Sequence, residues 1–233
     1  MLRHRDRLDT VLDVSAIIPT LNAARHLPAT LAACRGVREV IVADGGSADE
    51  TVAIARKLGA RIMTSEPGRG IQLRAGAAAA ASSWLLFLHA DTILSEDWPC
   101  AACEFITNPA NCLRAATFRF GLDDDSPAAR RLERRVAWRV RHFGLAYGDQ
   151  GMLMHRELYG SLGGFRPWPL MEDVDLVRRI GRQRMTVLPA VARTSAERWR
   201  RDGWRWRSAR NLSCLTLYFL GVPPRLIARL YDR

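Results

Sequence analysis

The sequence has no apolar run long enough to cross a bilayer. The longest, Leu212 to Val222, falls short of the roughly 20 residues that a spanning helix needs. No signal peptide opens it: MLRHRDRLDTVLD is charged and has no apolar centre, and the first apolar run, Val14 to Ile18, reads as a strand. Five cysteines are an odd number without framework spacing, which argues against a disulfide scaffold and for a reducing, cytoplasmic compartment. Cys100 and Cys103 form a CxxC, with Cys112 beyond. No second pair completes a metal site, so these read as buried or half-buried thiols. There is no GK[ST] of a Walker loop, no GxGxxG of a dinucleotide fold, no internal repeat and no low-complexity linker.

What is present is a 233-residue chain, 48% hydrophobic and 25% charged, with a net charge of +11 that is mostly arginine. That balance supports a sizeable core and favours anionic partners. The first half alternates strand and helix. Strands are expected at Val14–Pro19, Val37–Asp44, Ala60–Ser65 and Trp84–Asp91, and helices at Ala24–Arg35, Ala48–Leu58 and Ile71–Ser82. The alternation predicts an α/β protein with a parallel sheet. AGAAAAAS, at the end of the third helix, reads as close helix–sheet packing. An acidic loop and a basic helix with Leu132, Val136 and Val140 on one face are expected over Asp123–Gly144, and further helices over Arg156–Leu162 and Glu172–Arg182.

Three strand ends share a pattern: PTLN, ADGGSADET and HADT each set polar groups where an apolar run stops. In a parallel sheet these ends lie side by side, so Thr20, Asn22, Asp44, Ser47 and Asp91 can converge. A carboxylate at Asp44 suits the base or ribose of a mononucleotide. Asp91 suits Mg²⁺ or Mn²⁺, hard ions that share phosphate oxygens. Arg69, Gln72 and Arg74 stand near a helix start, where phosphate is favoured. In PLMEDVDLVRRIGR, Glu172, Asp173 and Asp175 are either dipole-favourable caps or a general base with a neighbouring acid.

On these stretches the chain resembles the family 2 glycosyltransferases of the GT-A fold. SAIIPTLNAARHL is similar to their first strand and loop, VIVADGGSADET to their nucleotide-binding turn, and FLHADT stands in place of the DxD motif. GDQGMLMHRELYGSLGGF and EDVDLVRRI are similar to the acceptor-side region and the ED motif. GRGIQ and LHADT bring the resemblance nearest to the radical-SAM/selenodomain-associated transferase branch.

The resemblance implies a Rossmann-like, mostly parallel sheet flanked by helices. It also implies an inverting transferase using a divalent metal and a nucleoside-diphosphate sugar, with UDP the usual carrier. It assigns Asp173 as the base. Pro19, Thr20, Asn22, Asp44, Gly46, Ser47, Arg69, Gln72 and Asp91 fall on the nucleotide side. Asp149, Gln150, Gly164, Glu172 and Arg179 fall on the acceptor side, and Asp91 with His89 at the metal. His89 replaces the first aspartate of DxD, and Ala23 replaces a common acidic residue, which bears on metal and ribose binding.

Two other readings compete. A nucleotidyltransferase would carry a glycine-rich loop after the first strand, where this chain has PTLNAARHL. A basic nucleic-acid-binding protein would use the arginines, but they form no recognisable motif, and no nucleic acid is expected. The domain is expected over residues 1–196, with a basic, Trp-rich helical extension over 197–233. That extension either packs on the domain or meets an anionic membrane surface on the inner face of the cell membrane, where a lipid-linked acceptor would lie.

Overall fold

The computed structural model describes residues 11–231. The charged start of the chain and its last two residues lie outside the described residues. An eight-stranded sheet runs in the order β3-β2-β1-β4-β7-β6-β8-β5. The strands are β1 (Leu12–Thr20), β2 (Val37–Asp44), β3 (Arg61–Thr64), β4 (Trp84–Phe87), β5 (Thr92–Leu94), β6 (Ala115–Leu122), β7 (Met152–His155) and β8 (Met185–Thr194). The helices are α1 (Leu27–Ala33), α2 (Thr51–Lys57), α3 (Arg69–Ala79), α4 (Trp98–Ile106), α5 (Pro127–Phe143), α6 (Arg156–Ser161), α7 (Glu172–Ile180), α8 (Glu197–Asp202), α9 (Trp204–Phe219) and α10 (Pro224–Tyr231). Among the described residues no helix is long and apolar enough to cross a membrane.

The first four strands are parallel, as expected: β1 pairs with β2 and β4, and β2 with β3. β1, β4 and the second half of β2 are near-continuous apolar runs buried on both faces, which is how parallel strands read, while β3 at the sheet edge is partly exposed. Thr20 lies opposite Asp44, and Asp44 opposite Thr64, so these polar ends form one row. The second half adds the antiparallel pairs β4–β7, β6–β7 and β5–β8 beside a parallel β6–β8 pair. The sequence reading had not marked β6, β7 or β8.

Element ends differ from expectation for identifiable reasons. The strand expected through Asp91 stops at Phe87, because its β7 partner begins opposite at Met152 and Thr92 N–H donates to the His89 carbonyl, closing a turn. His89 and Asp91 therefore stand on a loop. The first helix begins at Leu27 rather than Ala24, because Ala23 and Ala24 give their N–H groups to Thr51 and Asp49. The third ends at Ala79, because Ala81 and Ser82 donate instead to Glu39 and Ser15.

AGAAAAAS does pack closely: a Cβ on Gly76 would lie 2.5 Å from Ile17 Cγ2. The expected basic helix is α5, capped by Ser126 Oγ accepting from Ala129 N–H. It buries Ala129, Val136 and Val140.

Gly70 of α3 is pinned against the 166–168 loop. It donates its N–H to the Trp168 carbonyl at 3.1 Å, and an added Cβ would run into the Arg166 carbonyl and come 2.8 Å from that of Trp168. Gly160 of α6 has nothing within 4 Å of the same position. Gly70→Ala is expected to destabilise by about 1–3 kcal/mol, the usual cost of overpacking. Gly160→Ala is expected to be neutral or stabilising by up to about 1 kcal/mol. Urea unfolding of the two variants checks this, and equal midpoints would refute it.

Candidate active site

The loops after β1 and β2 are organised by one carboxylate. Asp44 is 2% exposed. Its Oδ1 accepts from Thr20 Oγ1 at 2.9 Å and Ser47 Oγ at 2.5 Å. Its Oδ2 accepts from the N–H groups of Gly46 and Ser47 at 2.9 and 2.8 Å. Burial pushes the acid up, but the bonds from Ser47, Thr20 and Gly46 outweigh it and hold the carboxyl below the usual range. Four bonds fill the acceptor sites of a carboxylate, so Asp44 shapes the turn.

Gly46 takes φ +91° with open space around it, a conformation that L side chains resist. Asn22, at φ +52°, donates its N–H to Ser47 Oγ and accepts from Ala48 N–H through its Oδ1, both at 2.9 Å. Pro19 stays inside β1, opposite Ala43. Gln72 is buried, and its Nε2 donates to the carbonyls of Thr20 at 2.6 Å and Ala43 at 2.8 Å. Its amide N–H groups thus brace the loop ends rather than standing free for phosphate.

Beyond β4, His89 meets Gly148: a Cβ there would lie 2.5 Å from His89 Nε2 and 3.3 Å from Asp173 Oδ2. Gly148 is therefore the spacer that lets the His89 loop reach α7. Asp173 Oδ2 accepts from Gly148 N–H at 2.8 Å, and its Oδ1 from Val174 N–H at 2.7 Å. These bonds fix the carboxylate while leaving lone pairs open. Met171, just before α7, sits at φ +66° and, with Asn22, is one of two non-glycine residues of positive φ among those described. Such strain gathers at functional sites. Leu73, Phe87, His89, Gly148, Phe165 and Asp173 line a small, mostly apolar cavity here.

Glu172 is fully buried and faces Arg69, whose Nε lies 3.0 Å from Oε1. Burial, helped by the neighbouring Asp173, raises the Glu172 carboxyl to about 7 against the pull of Arg69. Burial likewise raises Asp149 to about 6 and the Tyr147 phenol to about 12. Beyond the Arg69 ion pair, neither Glu172 oxygen, nor Asp149 Oδ1, nor the Tyr147 hydroxyl has a hydrogen-bond partner among the described residues. Burial pushes His89 down, as does Arg69, while Asp91 and Asp173 pull it up.

Asp91 is half-buried; its only side-chain hydrogen bond among the described residues is from Thr194 Oγ1 at 3.5 Å. That leaves a carboxylate oxygen open, which suits a hard cation sharing phosphate oxygens. No group of three His, Cys, Asp or Glu side chains among the described residues is placed to hold a metal, and His89 Nε2 is covered by Gly148.

Some expected site residues stand apart. Arg179 is committed to Asp175 and the Leu162 carbonyl, so it braces the loop after α6 rather than reaching Asp173. Gly164 packs on the Tyr159 ring, and buried Gln150 donates to the Phe118 carbonyl at 3.0 Å. Other residues were not read from the sequence. Tyr147 lies under the Arg139 guanidinium, 3.9 Å from the ring centre; its place just before GDQG was the available signal. Arg198 helps to push His89 down, Tyr231 packs against the cluster of Leu170, Met171 and Val174, and no local motif marks either.

The raised Glu172 carboxyl sets a pH dependence. Between its ordinary 4.5 and about 7, the folded state holds a proton that the unfolded state releases, so stability falls as pH rises through this window. Glu172→Gln removes that contribution and leaves the smaller one of Asp149. Its thermal midpoint is expected to decline less from pH 5 to 8 than that of the parent protein. Parallel curves would refute this.

With this geometry established, comparisons identify relatives. Residues 15–162 match the family model described as Glycosyl transferase family 2. A PGL/p-HBAD biosynthesis glycosyltransferase of Mycobacterium bovis is 42% identical over 93 residues, covering 35% of this chain and 36% of that protein. An uncharacterized glycosyltransferase of Mycobacterium tuberculosis is 34% identical over 79 residues, covering 34% of this chain and 36% of that protein. The matches thus span about a third of these relatives' length.

Among solved structures, residues 1–349 of S. aureus TarS share the fold, with a TM-score of 0.61 and 16% identity, covering 79% of this chain and 61% of that one. Glucosyl-3-phosphoglycerate synthase of Mycobacterium tuberculosis, in complex with Mn²⁺, UDP-glucose and phosphoglyceric acid, gives a TM-score of 0.54 at 21% identity, covering 78% and 70%. The structural likeness establishes a mixed α/β sheet of the GT-A type.

Proposed function

The chain belongs to glycosyl transferase family 2, and from that premise we propose that it moves a sugar from a UDP-linked donor to an acceptor hydroxyl, with inversion and with Asp173 as the base. The observation that carries this reading is the Asp173 carboxylate, oriented by two backbone N–H groups near Asp149 Oδ1, Glu172 Oε2 and the Tyr147 hydroxyl, buried atoms without a hydrogen-bond partner among the described residues. Buried polar groups in native structures are nearly always bonded, so such a cluster fits a site completed by ligand hydroxyls. The relatives support the donor class: TarS is solved with UDP-GlcNAc and the synthase with Mn²⁺ and UDP-glucose. GRGIQ and LHADT support the radical-SAM/selenodomain-associated branch.

In the proposed reaction Asp173 takes the proton of the acceptor hydroxyl. The acceptor oxygen then bonds to the sugar's anomeric carbon on the face opposite the diphosphate, whose bond to that carbon breaks with the electron pair. Inversion follows from the single displacement. Asp149 and Glu172, buried near Asp173, hold sugar or acceptor hydroxyls in this reading, with Tyr147 beside them. Asp91 would hold Mn²⁺ or Mg²⁺, which when bound neutralises charge on the departing diphosphate. Arg69 adds a positive charge beside it. Asn22, Gly46 and Ser47 form the floor for the nucleotide, on a turn held by Asp44 and Gln72 beside Pro19 and Thr20. Residues 1–196 form the transferase domain in this reading, and 197–233 its extension.

Asp173→Asn is expected to lower UDP release by about 10²-fold or more, the usual size of a lost acid–base contribution, while donor affinity stays within about twofold by titration calorimetry. An active variant would move the base elsewhere, with Asp149 next in line. Asp91→Ala is expected to make UDP binding indifferent to Mn²⁺, whereas Asp44→Ala weakens it with or without metal. Unchanged affinity in both would overturn the nucleotide-site assignment.

A further inference from the structure

The last three helices have two dissimilar faces. Inward, Cys214 and Ile227 pack on Leu170, Met171 and Val174, at the start of the helix that carries Asp173. Outward, α9 exposes Leu212 at 63% and Trp206 at 69%, and Leu220 just past its end at 76%. Arg205, Leu212 and Phe219 recur every seven residues, so they form one row along α9. On α10 the exposed residues are Arg225, Leu226, Arg229 and Leu230. No aspartate or glutamate occurs from residue 203 to residue 231.

Helix α5 runs beside α9, and a groove between them is lined by Arg131, Leu132 and Arg135 on one side and Trp204, Arg205 and Ser208 on the other. Trp138 stands exposed on α5 among the arginines. Arg131, Arg134, Arg135, Arg141 and Arg205 make no ion pair or hydrogen bond among the described residues. The one acid of α5, Glu133, is already engaged by Arg130 and the Leu122 N–H.

We propose that the outer faces of α5, α9 and α10 dock on an anionic lipid bilayer. The charge selects an anionic partner, and free guanidinium groups meet headgroup phosphates while tryptophan rings sit at headgroup level. The exposed leucines and Phe219 select a bilayer over nucleic acid, since a phosphodiester backbone offers them no apolar partner whereas acyl chains do. Because the opposite face of α9 and α10 packs on residues 170–174, docking holds the Asp173 site close to the lipid surface. That fits an acceptor carried on a lipid. Only this last consequence rests on the transferase reading.

The test is cosedimentation of the full chain with vesicles of phosphatidylglycerol and phosphatidylcholine, against phosphatidylcholine alone, at low and high salt. Binding is expected to the anionic vesicles only and to weaken with salt. Each guanidinium lost is expected to cost about fivefold in affinity. Arg131→Glu/Arg135→Glu and Leu212→Asp/Phe219→Asp should each lose tenfold or more while keeping the thermal midpoint and UDP affinity. Should a double variant fail to fold, Arg205→Glu and Leu212→Ser are read instead.

Absence of binding to anionic vesicles overturns the proposal. So does equal binding by the folded variants, or an RNA that binds more tightly than the vesicles and displaces them. Vesicle binding needs no turnover. An inactive protein that docks, or an active one that does not, therefore separates this proposal from the assignment of activity.

Discussion

A carboxylate buried at the end of a parallel strand must find its partners within the protein, and Asp44 finds four in the two loops beside it. Leaving such a group unsatisfied costs more than any one of its bonds contributes. The loop after β1 and the turn after β2 are therefore one unit. Asn22 and Ser47 continue the stitching outward, Gln72 closes it from below, and α2 begins only where the stitching ends. The joining of these two loops and the tight turn at Gly46 depend on this one buried charge, while the late start of α1 rests on the neighbouring Thr51 and Asp49.

The opposite edge of the site follows another rule. Glu172 and Asp149 are acids in a poorly hydrated space, where ionising them is costly. Arg69 offsets part of that cost at Glu172, and burial decides the rest by raising Glu172 and Asp149. Asp173 differs in accepting two backbone N–H groups, which fix its orientation. The small space at Gly148 makes this possible, since any side chain there would separate the His89 loop from α7. Glu172 Oε2 and Asp149 Oδ1 are left without a hydrogen bond among the described residues, which is costly in a buried space.

The C-terminal helices complete the site from the other side. Arg207, buried, joins Asp202 to the Tyr231 hydroxyl at 2.7 and 3.0 Å, and Tyr231 packs against the cluster of Leu170, Met171 and Val174 at the start of α7. The segment thus belongs mechanically to the site, while its outer surface keeps the composition of a membrane-facing helix pair. One face satisfies packing and the other leaves charge and apolar area unused.

The strand–helix alternation of the first half, the polar ends of its strands and the acidic start of α7 were legible in the sequence, because apolar runs and turn residues encode burial locally. Family membership was legible for the same reason: its motifs are short and contiguous. The roles of individual residues were not. Asp44 and Gln72 look like ligand groups in sequence, and folding commits their hydrogen bonds to the loops. Arg179 looks like part of the ED motif, and folding gives it to Asp175. The strands β6 to β8 escaped notice because their pairing joins segments far apart in the chain. The pairing of Glu172 with Arg69, the spacing role of Gly148 and the packing of Tyr231 on the start of α7 have the same origin. Local pattern determines which residues are buried and in what element; which buried polar group meets which is decided only when distant elements pack.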